Sequence, residues 1–150
     1  MGEVSGIDKE KSAMYTYRAT VRRVIDGDTV DLDIDLGFSV ILHNQRIRLY
    51  RVDTPEKRTR DLREKRAGIL ASEVVEGLLP IGSSCIVETY LDSRGKFGRL
   101  LGDIISDEGI HVNDYLIQHR YAVEYLGQSK DEVRALHEAN WTWLEEHGLL

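Results

Sequence analysis

The chain is poor in the residues that would place it in several large classes of protein. It has one cysteine, Cys85, among 150 residues. That excludes an internal disulfide and a cysteine-rich metal centre, and the apolar run around Cys85 points to a core position. No apolar run reaches the roughly 18 residues needed to cross a bilayer, so no membrane partner is expected. The first residues, Met1 to Ser12, are polar and hold no apolar signal core. That leaves either a cytoplasmic protein or a mature secreted form. The five histidines show no zinc-ligand spacing. A nucleophile elbow and a phosphate-binding Walker loop are both missing. Asp31, Asp33 and Asp35 resemble the start of a calcium loop, but Leu36 stands where such a loop needs glycine and Leu42 where it ends in glutamate. Their alternation fits the wet face of a strand.

What remains is a domain-sized soluble chain, 41% hydrophobic and 31% charged, with room for one core. The net charge of −6 argues against nonspecific coating of nucleic acid. The charge is unevenly spread. Lys57, Arg58, Arg60, Arg63, Lys65 and Arg66 crowd one stretch with only Asp61 and Glu64 between them, whereas the last twenty residues are acidic. A solvated helix explains the basic run, and so does an edge that meets a phosphate backbone.

The pattern predicts a flexible arm over residues 1–13 and one α+β domain over 14–150. Tyr15 to Ile25 is rich in β-branched and aromatic residues. Asp26-Gly27 is a hairpin turn, and Thr29 to Leu36 alternates with Val30, Leu32, Ile34 and Leu36 inward. Phe38 to Val52 reads as one strand or two, kinked near His43-Asn44. Arg60 to Leu79 has helical spacing and ends at Pro80-Ile81-Gly82. Two strands follow, Ser84 to Leu91 and Arg99 to Ile105, joined by a loop from Asp92 to Gly98. A short helix is expected over Asn113 to His119. A last helix opens at Ser129, with Glu132 completing a capping box and Val133, Leu136, Asn140 and Trp143 on its inner face. One of Trp141 and Trp143 belongs in the core. Five strands with a helix between the third and fourth suit a five-stranded OB-fold β-barrel with about three helices.

Four segments carry charge suited to phosphoryl chemistry: Asp26-Gly27-Asp28-Thr29, Arg48, Asp53-Thr54-Pro55-Glu56 and Gly98-Arg99. Carboxylates hold a divalent cation, a further carboxylate takes a proton from water, and guanidinium groups neutralise a phosphate gaining charge. Taken singly, Asp28 and Asp53 are ordinary turn residues and Arg99 a surface ion-pair partner.

Together the words Val24-Ile25-Asp26-Gly27-Asp28-Thr29, Arg48-Leu49-Tyr50-Arg51-Val52-Asp53-Thr54-Pro55-Glu56 and Lys96-Phe97-Gly98-Arg99 resemble the staphylococcal nuclease family over roughly Tyr17 to Leu126. The resemblance implies an OB-fold nuclease that needs calcium and cleaves single- and double-stranded DNA and RNA, leaving 3′-phosphate ends. It implies Asp28 and Asp53 as calcium carboxylates, with Thr54 giving a backbone carbonyl. Glu56 becomes the general base, and Arg48 and Arg99 the phosphate-binding arginines. Lys96 assists substrate binding, and Tyr125 or its neighbour Tyr121 stacks on substrate. Phe97 departs from the family's usual tyrosine and removes a phosphate-contacting hydroxyl. The segment between Thr29 and Arg48 is also longer than usual. A noncatalytic OB-type module that binds nucleic acid or protein is the alternative, and a phosphate-binding protein that breaks no bond is a third. A monomer is expected, because no heptad repeat appears.

Overall fold

The computed structural model describes residues 15–90 and 100–150. Five strands close into a barrel: β1 (Tyr15–Asp26), β2 (Thr29–Asp35), β3 (Ile41–Leu49), β5 (Ser84–Tyr90) and β6 (Leu100–Ser106). They lie in the order β1-β2-β3-β6-β5. Among the described residues only the β3–β6 pairing is parallel. Two-residue strands β4 (Val52–Asp53) and β7 (Val123–Glu124) form a small antiparallel sheet beside it. Among the described residues three helices complete the α+β fold: α1 (Leu62–Leu78), α2 (Val112–Gln118) and α3 (Lys130–Glu146). Among the described residues, no helix is long and apolar enough to cross a membrane.

The inward faces of the strands fill the barrel. Val21, Val30, Leu32, Ile47, Val87 and Ile104 are all essentially sealed from solvent, the alternation that a strand with one buried face requires. Helix α1 lies over one end through Ala71 and Val75. Asp61 caps it, accepting from the amides of Arg63 and Glu64. Cys85 is a core residue, and burial pushes its thiol up to about 11, so it stays protonated.

Three expectations need correcting. Asp31 is not on a wet face: it is 7% exposed and lies beneath Arg46 and Arg23, at 2.9 and 3.3 Å. The Arg46 hydrogen bond is the chief cause of its lowered carboxyl pKa. Leu36 is exposed, because β2 stops at Asp35, whose side chain accepts from the Gly37 amide and starts the turn. The inner face of α3 is His137, Trp141 and Leu144, while Leu136 faces water and Trp143 is half-buried. The helix is rotated one residue from its apolar pattern, with an imidazole turned toward the barrel. Its capping box forms between Ser129 and Glu132.

The kink in the third strand is a bulge at Asn44, which has φ 53° and breaks the β2–β3 register opposite Asp33. The loop from Asp92 to Gly98 lies outside the described residues, as does the N-terminal arm.

Candidate active site

The β1–β2 hairpin and the end of β3 meet at one rim of the barrel. Thr29 stands opposite Arg48 in the register, and the Leu49 amide donates to the Asp28 carbonyl at 2.8 Å. Residues twenty apart in sequence therefore share one spot. Past β3 the chain turns sharply, with Arg51 at φ 61°, a conformation a non-glycine residue adopts only when its surroundings hold it. The turn aims β4 back beside Arg48. Pairing with β7 then fixes Asp53 opposite Val123.

Arg48 is the centre of the arrangement. Its Nη1 lies 2.9 Å from Asp28 Oδ2 and donates to the Val52 carbonyl at 2.7 Å, and its Nη2 lies 3.7 Å from Asp53 Oδ1. Asp28 is further held by the Thr29 hydroxyl at 3.0 Å and the Thr54 amide at 3.3 Å. Glu56 lies at the open edge. Its carboxyl pKa is raised, first by desolvation and then by the negative charges of Asp28, Asp26, Asp53 and Glu64. Three carboxylates and one guanidinium leave a net negative centre.

A cavity of about 450 Å³ opens over these groups, lined by Arg48, Asp53, Thr54, Glu56, Tyr125 and His137 among others. Asp28 lies behind Arg48 and does not line it. Larger concavities open elsewhere on the barrel, one of about 890 Å³ beside Arg22, Arg23, Asp31 and Arg46. There the buried carboxylate is already taken up by arginines. The smaller cavity is the one that unites the sequence words.

Of the predicted site residues, Asp28, Arg48, Asp53, Thr54 and Glu56 come together, and Tyr125 lines the same cavity. Tyr121 packs against the barrel core instead. Arg99 and Lys96 lie outside the described residues. The basic run is partly absorbed into structure. Lys57 Nζ donates to the Ile25 carbonyl at 2.8 Å, and Arg63 pairs with Glu145 at 2.8 Å. Arg58, Arg60, Lys65 and Arg66 remain exposed.

Three contributors escaped sequence reasoning. Helix α3 sends His137 to Asp53, with Nε2 2.7 Å from Oδ2. It also sends Arg134 to Glu64 at 3.0 Å, and Glu64 in turn accepts from the Glu56 amide at 3.2 Å. Nothing in the sequence joins residues 84 positions apart. The third is Gly68 on α1. A Cβ there would stand 2.7 Å from the backbone of Glu56 and from the Pro55 carbonyl. Gly68→Ala is therefore expected to push the Pro55-Glu56 segment off the helix. Any rate that depends on where Glu56 stands should then fall by roughly ten- to a hundredfold, since a misplacement of about 1 Å can cost about a hundredfold. Unchanged kinetics in a folded Gly68→Ala protein would show that the close approach has no bearing on Glu56.

Among the described residues, no three His, Cys, Asp or Glu side chains stand close enough to hold a metal ion by themselves. Asp28, Asp53 and the Thr54 backbone nevertheless offer hard oxygen donors. They do so at a centre of excess negative charge, which adds to desolvation in raising the Glu56 pKa. That donor chemistry fits a calcium ion whose remaining positions are filled by water or substrate.

A five-stranded barrel with three helices, carrying a carboxylate–guanidinium cluster at its rim, defines an OB-type domain. A family model described as "Staphylococcal nuclease homologue" matches residues 46–142, and the chain belongs to the staphylococcal nuclease family. Asp28 precedes the matched stretch; Arg48, Asp53, Glu56 and His137 fall within it. The chain is 34% identical over 120 residues to Endonuclease YhcR of Bacillus subtilis (strain 168). That alignment covers 77% of this chain but only 9% of the relative's length. It is 29% identical over 113 residues to proteins named "Uncharacterized endonuclease" from Escherichia coli O157:H7 and Escherichia coli, covering 75% of this chain and 64% of each relative.

Proposed function

We propose that the chain is a calcium-dependent nuclease that hydrolyses phosphodiester bonds of DNA and RNA and leaves 3′-phosphate ends. The observation that carries this reading is the meeting of Asp28, Arg48 and Asp53 around one guanidinium, with Glu56 at the edge of the same cavity. Family membership and relatives named endonucleases support it.

In this reading Asp28, Asp53 and the Thr54 carbonyl hold calcium. The bound ion supplies charge to polarise a phosphoryl oxygen. Glu56 accepts a proton from water as the water oxygen bonds to phosphorus. The bond from phosphorus to the 5′ oxygen breaks, and that oxygen takes a proton from solvent water, giving a 5′-hydroxyl and a 3′-phosphate. A glutamate made more basic by desolvation and by its anionic neighbours is better matched to that proton transfer than an ordinary one. Arg48 and Arg99 neutralise the phosphoryl oxygens, where a rigid fork binds better than an ammonium. Lys96 and Tyr125 contact substrate, and the exposed basic residues after Glu56 steer nucleic acid toward the cavity.

Purified protein with single-stranded DNA, with calcium or with chelator, tests this. Cleavage is expected only with calcium, and end-group analysis should find 3′-phosphate. Retention of DNA without cleavage would establish the binding-module reading in its place.

A further inference from the structure

Asp53 sits on a two-residue strand at the barrel rim, with its side chain about one-third exposed. Water could satisfy such a carboxylate. It is instead gripped from the far end of the chain. His137 on α3 is buried, and its Nε2 lies 2.7 Å from Asp53 Oδ2. The carboxylate's other oxygen, Oδ1, is thereby left to face Arg48. Trp141, one turn along the helix, is almost fully buried and packs its ring 6.0 Å from the imidazole. Arg134 and Arg63 lie over the indole at 4.9 and 5.4 Å.

The imidazole is a costly choice for this position. Among the described residues its buried Nδ1 has no partner, and a leucine would fill the space with no polar atom to desolvate. Among the same residues the polar contact shown for the ring is to Asp53. An ionised carboxylate offers only lone pairs, so that contact needs the proton on Nε2. With its hydrogen on Nε2 the ring has no N–H of its own left unpaired. His137 is therefore a fixed donor.

We propose that His137 is a positioning residue. It holds Asp53 Oδ2 so that Oδ1 faces the Arg48 guanidinium, and it makes α3 part of the site. The consequence for calcium rests on the reading of Asp53 as an ion-holding carboxylate. The second tie from α3, through Arg134 and Glu64 to the Glu56 amide, couples the same helix to the next segment of the site.

The test uses the full chain with His137→Leu and His137→Gln; the glutamine amide can offer a donor where Nε2 stands. Calcium titration calorimetry without nucleic acid is expected to show affinity ten- to a hundredfold weaker in the leucine variant, the usual size of such an effect, and largely restored in the glutamine variant. Turnover on single-stranded DNA should follow calcium affinity, with KM for DNA unchanged. Melting without calcium should not fall in either variant. Nitrogen NMR of the metal-free wild type at alkaline pH should show His137 protonated at Nε2, with that signal moved by Asp53→Ala. Wild-type calcium affinity in the leucine variant, equal impairment in both variants, or a proton on Nδ1 would each overturn the proposal. A wild-type protein that neither binds calcium nor cleaves would instead remove the functional reading, and the NMR signal would then decide alone whether His137 holds Asp53.

Discussion

Glu56→Gln is expected to leave the barrel folded and to slow phosphodiester cleavage by about two to four powers of ten, the range supplied by a positioned general base. The substitution keeps size and polarity and removes only the ability to take a proton. The side chain stands at the edge of the cavity, so no core contact is lost. The electrostatics add a second readout. Desolvation and the charges of Asp28, Asp26 and Asp53 raise the Glu56 pKa in the folded protein. A carboxyl raised on folding contributes stability below its unfolded pKa, and that contribution is lost as pH rises through the folded value. In metal-free protein the glutamine variant should therefore melt above the wild type at neutral pH. The two should converge below about pH 4, where glutamate is neutral in both states. Cleavage at the wild-type rate would remove Glu56 from the chemistry. Absence of a pH-dependent gap in melting would show that neither desolvation nor the anionic neighbours press on it.

Arg48→Gln is expected to lower turnover by about two to three powers of ten, the cost of losing a preorganised charge at the phosphoryl group. The guanidinium spans Asp28, the Val52 carbonyl and Asp53 at once, and a glutamine amide cannot reach all three. Arg48→Lys should recover little, because an ammonium lacks the planar fork. Calcium affinity should move the other way. Removing a cation from between Asp28 and Asp53 raises the negative potential at the donors, so calorimetry should show equal or tighter binding while turnover collapses. Affinity and turnover lost together would mean that Arg48 mainly holds the site's shape.

Much of the barrel was legible because each strand has one buried face and one wet face, and alternation records that directly. Asp26-Gly27 marked the hairpin, and Arg46 and Arg48 did emerge on the face opposite Ile47 and Leu49. The reading failed where a polar residue was buried for a partner elsewhere. Asp31 alternated like a solvent-facing residue, yet two arginines from neighbouring strands cover it. The face of α3 was misjudged because apolar periodicity ranks Leu136 above His137. The imidazole goes inward for a hydrogen bond to a residue 84 positions earlier. Gly68 gave no signal of its own, since a helical glycine looks alike whether it touches backbone or solvent.

The sequence by itself determined the order of strands and helices, the turn at Asp26-Gly27 and the words that mark the family, because propensity, alternation and short motifs are local. Only the tertiary structure decided that Asp28 and Asp53 share one arginine, that α1 lies against the Glu56 segment, and that α3 grips the site from behind. Those are contacts between distant segments. They are set by strand register, by the sharp turn at Arg51 and by the packing of two helices against the barrel, none of which has a local signature.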